Sequence, residues 1–196
     1  MFHDIPDEVS AVMTELEQRD EQDRGDGTAQ IERLRQIPRE TGQFLALLAA
    51  SSPDGAWIEV GTSAGYSALW LSFACRIRSQ QLVTYEFDGA KVQRAKKTFE
   101  RAKVHDVVTL VEGDFLDHAT EIRRVGFAFL DAEKDVYERC YELIVPQLVT
   151  GGVLVADNVI SHAKDLATFV DRALADPRVD ALVVPIGKGE LVCRKR

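Results

Sequence analysis

Apolar positions in this 196-residue chain first follow a helical period and then fall into short continuous runs. Between 5 and 24, Ile5, Val9, Val12, Met13 and Leu16 recur at helical spacing, which predicts one amphipathic helix. The run Asp23-Arg-Gly-Asp-Gly-Thr28 breaks that pattern and marks a hinge. After Pro38 a second helix is expected, with Phe44, Leu45, Leu47 and Leu48 as its buried stripe, ended by Ser51-Ser-Pro-Asp-Gly55. From Ala56 onward, apolar runs at 57–60, 82–86, 107–111, 126–130 and 152–156 alternate with helical patterns near 64–75, 89–103, 115–123, 135–149 and 163–175. Strands that are apolar on both faces, each followed by a helix, indicate a parallel sheet covered on both sides. Right-handed crossovers make it doubly wound. Residues 181–185 and 190–194 also look like strands, but only Ile186-Gly-Lys-Gly189 separates them. A parallel crossover needs about a dozen residues, so these two must form an antiparallel hairpin. The expected fold class is α/β, a doubly wound, mostly parallel seven-stranded sheet with a C-terminal antiparallel hairpin.

Charge divides the chain more sharply than hydropathy does. The net charge is −8, and residues 1–27 hold nine acids against two bases, leaving 23 acids and 22 bases for the rest. This separates an acidic N-terminal helical arm, 1–27, from a near-neutral body, 28–196. The arm reads as a solvated helix face or a partly disordered leader. Nucleic-acid binding depends on neutralising phosphates, so such a partner is disfavoured. No run approaches the roughly 20 apolar residues of a membrane span, and the N-terminus lacks the basic start and apolar run of a secretory signal. Cys75, Cys140 and Cys193 lie in apolar or amphipathic segments without CxxC spacing and read as reduced core thiols. The expected compartment is the cytoplasm.

Candidate chemistry collects at the ends of the expected strands. The first runs into Glu59-Val-Gly61-Thr-Ser-Ala-Gly65-Tyr-Ser67, whose glycines permit a sharp turn and a close backbone approach to a ligand. A helix follows, and its N-terminal amides attract anionic groups. By itself this segment reads equally as a plain strand-to-helix turn. The second strand ends on Glu86, an acid placed to accept the hydroxyls of a ribose or simply to face solvent. The third ends in Gly113-Asp114-Phe115, a turn that could border an adenine ring, although Asp88 and Asp114 also fit as helix caps. Strands four and five end on Asp131 and on Asp157-Asn158. On adjacent strands these residues stand side by side where ligands bind in doubly wound sheets. Three oxygen donors without nearby Cys or His favour a hard cation, Mg²⁺ first, with Mn²⁺ or Ca²⁺ as alternatives. Two unrelated strand-end acids are the plainer alternative. Lys134, three residues after Asp131, is otherwise an ordinary lysine in the first turn of a helix.

As an ordered set, Glu59-x-Gly-Thr-x-x-Gly-Tyr-Ser67, Glu86, Gly113-Asp114, Asp131-Ala-x-Lys134, Gly151-Gly-Val-Leu-Val-Ala-Asp-Asn158 and Pro185-Ile-Gly-x-Gly resembles the catechol and caffeoyl-CoA O-methyltransferases, particularly their small bacterial relatives. The resemblance covers about residues 37–196. It implies a class I methyltransferase (Rossmann-like) fold and methyl transfer from S-adenosylmethionine to a hydroxyl of a small catechol-like or phenolic acceptor, assisted by a divalent metal. It assigns the metal to Asp131, Asp157 and Asn158, and the role of catalytic base to Lys134. It assigns the cofactor to Ile37, Glu59, Gly61, Thr62, Ser63, Gly65, Ser67, Glu86, Phe87, Gly113, Asp114, Phe115 and Asp131. A homodimer is implied, with neither nucleic acid nor membrane as partner.

The chemistry suits these residue types, because phenols titrate near pH 10 and a bound cation lowers that value. Two departures concern the acceptor. Glu133 stands where an Asp is usual, and only about ten residues, 159–168, separate Asn158 from the next helical stripe. His162 near the expected mouth reads as a loop histidine or as an acceptor contact, while His3, His105 and His118 show no ligand spacing. Two other readings stay open. An NAD(P)-dependent oxidoreductase is opposed by the missing Gly-x-Gly-x-x-Gly and by the lack of a Lys four residues after Tyr137 or Tyr141. A catalytically silent S-adenosylmethionine-binding protein is supported only by the short acceptor segment.

Overall fold

The computed structural model describes residues 2–29 and 33–196. Met1 and residues 30–32, which the charge pattern placed in the arm and at the start of the body, lie outside the described residues. Among the described residues seven strands form one sheet, in the order β3-β2-β1-β4-β5-β7-β6. They are β1 (Ala56–Val60), β2 (Leu82–Glu86), β3 (Val108–Glu112), β4 (Val125–Leu130), β5 (Leu148–Ala156), β6 (Val179–Val184) and β7 (Glu190–Lys195). The first five run parallel, and β7 pairs antiparallel with both β5 and β6. The expected doubly wound sheet and terminal hairpin are both present.

The order has one functional consequence. The chain builds outward from β1 through β2 to β3, then returns to place β4 on the other side of β1. Between β1 and β4 lies the topological switch point, where crossover helices leave to opposite faces and open a crevice. Register aligns the strand ends there: Val60 pairs with Leu130, and Leu130 pairs with Ala156. Beyond the strands, Asp131 N donates to Val60 O at 2.9 Å and Asp157 N to Leu130 O at 3.0 Å. Gly61, Asp131 and Asp157 therefore stand level across three adjacent strands.

Alternation along the strands divides the core between the two faces. Trp57, Phe127, Phe129 and Val155 pack with α2 (Arg39–Ser51), α3 (Tyr66–Arg78) and α4 (Gly89–Arg101). Ile58, Ala128, Leu130, Leu154 and Ala156 face the other way, toward α5 (Phe115–His118), α6 (Tyr137–Ile144) and α7 (Ala163–Ala175). Helix α3 is buried from Tyr66 to Cys75, because α2 covers the side that the sheet does not. Close approach of α2 to α3 depends on Gly42, where a Cβ would lie 2.1 Å from the Trp70 ring.

The acidic arm is not a loose leader. Helix α1 (Asp7–Gly25) buries Val9, Val12 and Met13 in the core shared with α3 and α4. Its outer acids meet bases of the body, Glu15 with Arg101 at 2.5 Å and Glu8 with Lys103 at 3.3 Å. All three cysteines are free and buried, as expected. Among the described residues no helix is long and apolar enough to cross a membrane.

Element boundaries differ from expectation in two places. The helix expected over 115–123 shortens to α5, followed by a 3-10 turn over Ala119–Glu121. The helix expected over 135–149 is α6 flanked by 3-10 turns, and β5 begins at Leu148 rather than 152. Gly151 explains the longer strand. Its φ of 81° lies in the left-handed region, and the β4–β5 register jumps from Val125/Leu148 to Phe127/Val153 across it.

Candidate active site

A cavity of about 610 Å³ opens over the switch point, within the range of small-molecule sites. Gly61, Ser63, Glu86, Phe87, Gly113, Asp114, Phe115, Asp131, Lys134 and Asn158 all line it. Gly61 has a φ of 100°, and a Cβ there would lie 2.2 Å from the carbonyl oxygen of Asp131. Only glycine lets the β1 turn pass this close to the β4 end. Ser63 N and Asp88 N donate to the two Glu86 oxygens at 2.8 and 3.0 Å, which fixes that carboxylate at the cavity wall with lone pairs to spare. Asp88 and Asp114 also cap helices, accepting from Ala90 N and Leu116 N respectively.

Other expected cofactor residues lie behind this wall. Glu59 is fully buried, and Ser67 Oγ and Thr84 Oγ1 each donate to it at 2.5 Å. Burial pushes its carboxyl up to about 7, against the pull of those two hydroxyls. Thr62 bonds Thr84 in the same buried chain, while Gly65 starts α3 and Ile37 packs into the core. None of these five residues (Ile37, Glu59, Thr62, Gly65 and Ser67) is part of the cavity lining.

The acidic end is assembled by β4 and β5. Asn158 adopts φ 70°, a left-handed conformation that asparagine tolerates, and its Nδ2 donates to Asp131 Oδ1 at 2.7 Å. Asp157 is buried, its Oδ1 accepts from Asn158 N at 2.5 Å, and its carboxyl group lies within hydrogen-bonding reach of Glu190. Burial, reinforced by Asp131, raises the Asp157 pKa. Lys134 Nζ donates to Ala132 O and Tyr137 Oη at 2.9 Å and approaches Asp131 Oδ1 at 3.4 Å. Tyr137 in turn donates to Asp157 O at 3.2 Å. The three expected metal ligands and the expected base thus form one connected group.

The description "O-methyltransferase" belongs to the family model that matches residues 8–196, nearly the whole chain. The chain belongs to this O-methyltransferase family. A catechol O-methyltransferase from Niastella koreensis is 32% identical over 130 residues, covering 64% of this chain and 58% of that protein. One from Mycobacterium tuberculosis is 30% identical over 137 residues, covering 69% and 62%. In both, the match spans less than two thirds of the relative's length. Caffeoyl-CoA O-methyltransferase 1 of Eucalyptus globulus is 24% identical, covering 80% and 73%. Among solved structures, an S-adenosylhomocysteine-bound methyltransferase from Podospora anserina has the same fold, with a TM-score of 0.82, 22% identity and coverage of 99% and 90%.

In this member of the family, four residues beyond the expected set shape the site. Tyr137, fully buried, supports Lys134 and Asp157 together. Glu190 at the start of β7 is fully buried against Asp157 and the Thr41 hydroxyl. Burial and the neighbouring Asp157 raise its pKa. An acid heading an otherwise apolar strand was the available signal. Arg35 pairs with Glu133 at 2.6 Å beside the cavity, and that guanidinium lowers the Glu133 pKa. Lys188 lines the same wall as Asn158, Ser161 and His162.

Proposed function

We propose that this chain transfers a methyl group from S-adenosylmethionine to a hydroxyl of a small, catechol-like or phenolic acceptor, assisted by a divalent cation. The observation that carries this reading is the shared cavity, where Glu86 stands at one wall and Asp131, Asn158 and Lys134 at another. The site fits both groups. For a cation it offers Asp131 and Asn158 at the cavity wall and Asp157 buried behind them, two strand-end carboxylates and an amide with oxygen donors only. Among the described residues no three acidic, His or Cys side chains converge as a metal site, so the Asn158 amide is an essential part of the set. For the nucleoside, Glu86 supplies acceptor lone pairs to ribose hydroxyls, and the Gly61 turn permits close backbone approach.

S-adenosylmethionine would supply an electrophilic methyl group on a sulfonium, and a divalent cation held by Asp131, Asp157 and Asn158 would supply Lewis acidity that lowers the pKa of the acceptor hydroxyl. The chain's residues do the rest. Lys134 Nζ, held at the cavity wall by Ala132 O and Tyr137 Oη, is placed to take the hydroxyl proton. Tyr137 can accept from Lys134 because its own hydrogen is committed to Asp157 O. The level strand ends hold these groups on rigid elements, so alignment contributes much of the rate.

Two measurements test the reading. Titration with S-adenosylmethionine gives saturable binding, with no comparable binding of NAD(H). Incubation with methyl-labelled S-adenosylmethionine and a simple catechol with Mg²⁺ gives labelled methyl ether. Binding of NAD(H) in its place, or no product from any catechol or phenol, would contradict the proposal.

A further inference from the structure

The turn between β6 and β7 is fastened to the segment that follows Asn158. Ile160 N and Ser161 N donate to Lys188 O at 3.2 and 3.0 Å, and Val159 N donates to Gly189 O at 3.0 Å. This fixes the backbone of Lys188 relative to the acidic end of the cavity. Its side chain is half-buried and lines the cavity beside Asn158, Ser161 and His162. An ammonium carries three N–H donors. Lys188 Nζ uses one of them, on the neutral carbonyl of Gln36 at 3.0 Å.

Three other cavity-lining bases have carboxylate partners, whereas Arg33 and Lys91 form no ion pair among the described residues and lack the backbone tie that fixes Lys188 beside the segment after Asn158. Arg24 meets Asp20 at 2.7 Å, Arg35 meets Glu133 at 2.6 Å, and Lys134 approaches Asp131 at 3.4 Å. Lys188 has no carboxylate at ion-pair distance among the described residues, and Asp157 senses its charge only at longer range. Partly desolvating a cation against one carbonyl is unfavourable unless a further acceptor completes it.

We infer that Lys188 is a specificity-determining residue that selects acceptors bearing a carboxylate, and this rests on the methyl-transfer reading. A single ammonium matches a single negative charge. A phosphate dianion calls for more donors than one ammonium has free, and the Arg35 fork is held by Glu133. The substrate class is therefore a hydroxylated aromatic carboxylate, with its hydroxyl at Lys134 and its carboxylate at Lys188.

The test uses 3,4-dihydroxybenzoate and its methyl ester, which differ in charge but share the catechol. Dissociation constants are measured by calorimetry on protein with S-adenosylhomocysteine and Mg²⁺, and methyl transfer to the same pair is measured with S-adenosylmethionine. The wild type is expected to bind the carboxylate at least about tenfold more tightly than the ester, as a charge-assisted bond provides. In Lys188→Gln the ratio falls to about one, and Lys188→Arg retains most of it. Equal binding in the wild type, no binding of the carboxylate, or a preference that survives Lys188→Gln overturns the inference. A lysine acting only as a strut to Gln36 would weaken both ligands equally and leave the ratio unchanged. Methylation of both probes without preference upholds methyl transfer and removes the carboxylate site. A Lys188-dependent binding preference without methylation does the reverse.

Discussion

Ala132 O and Tyr137 Oη hold Lys134 Nζ beside Asp131, so it is positioned before any acceptor arrives. As the proposed base it acts on the acceptor proton, whereas the role proposed for Glu86 and the Gly61 turn is to hold the nucleoside. Lys134→Ala should therefore lower kcat by about 10²–10⁴-fold, with the S-adenosylmethionine dissociation constant changed less than about threefold. Steady-state kinetics and calorimetry separate the two. Glu59 belongs to the supporting layer. Its pKa is raised by burial to about 7, so its stabilising contribution is complete below the unfolded carboxyl value of about 4.3. That contribution is lost as pH rises through 7. Chemical denaturation from pH 5 to 8 should show Glu59→Gln gaining stability relative to wild type as pH rises, by up to about 3 kcal/mol.

At the scale of elements, α6, α7 and β6 are tied by one charged cluster. Asp176, just beyond α7, accepts from Tyr141 Oη at 3.0 Å and from Arg178 N at 2.9 Å. Arg178 also reaches Glu142 of α6 at 2.7 Å. The Arg178 guanidinium holds the Asp176 carboxyl below its ordinary range, so its contribution is present above about pH 4 and is lost as pH falls further. Asp176→Asn should cost about 1–3 kcal/mol at pH 7, with the difference shrinking below pH 4 in urea titrations. Elements with a strong period were legible in the sequence: α1, α2, β1, β2, β4 and the terminal hairpin follow from apolar spacing and linker length. The 135–149 region was not. Val145 and Leu148 continue the apolar spacing of α6, and only the left-handed Gly151 reveals that the chain has already entered β5.

The whole molecule couples its arm to the cavity through the segment 33–37. Gln36 N and Nε2 donate to Asp20 Oδ1 and Leu16 O of α1, Ser63 Oγ donates to Leu34 O, and Lys188 reaches Gln36 O. The exposed ion pairs of α1 contribute little; burial of Val9, Val12 and Met13 holds the arm. Met13→Ala should destabilise by about 2–4 kcal/mol, with faster hydrogen exchange in both α1 and residues 34–37 and weaker S-adenosylmethionine binding. These long-range links explain the limits of the sequence reading of the site. Asp131, Asp157, Asn158 and Glu86 were visible because strand ends are predictable. Lys188, Glu190 and Arg35 were not, because their place depends on how the last hairpin and the segment before α2 fold back over the switch point.

Cation-assisted methyl transfer should respond to chelation. Labelled methyl transfer to a catechol is measured after EDTA treatment and again after Mg²⁺ is restored, in wild type and in Asp157→Ala. EDTA is expected to lower wild-type turnover at least about 100-fold, Mg²⁺ to restore it, and the folded Asp157→Ala protein to stay inactive in both conditions. Undiminished turnover in EDTA, or full activity of Asp157→Ala, would contradict cation assistance.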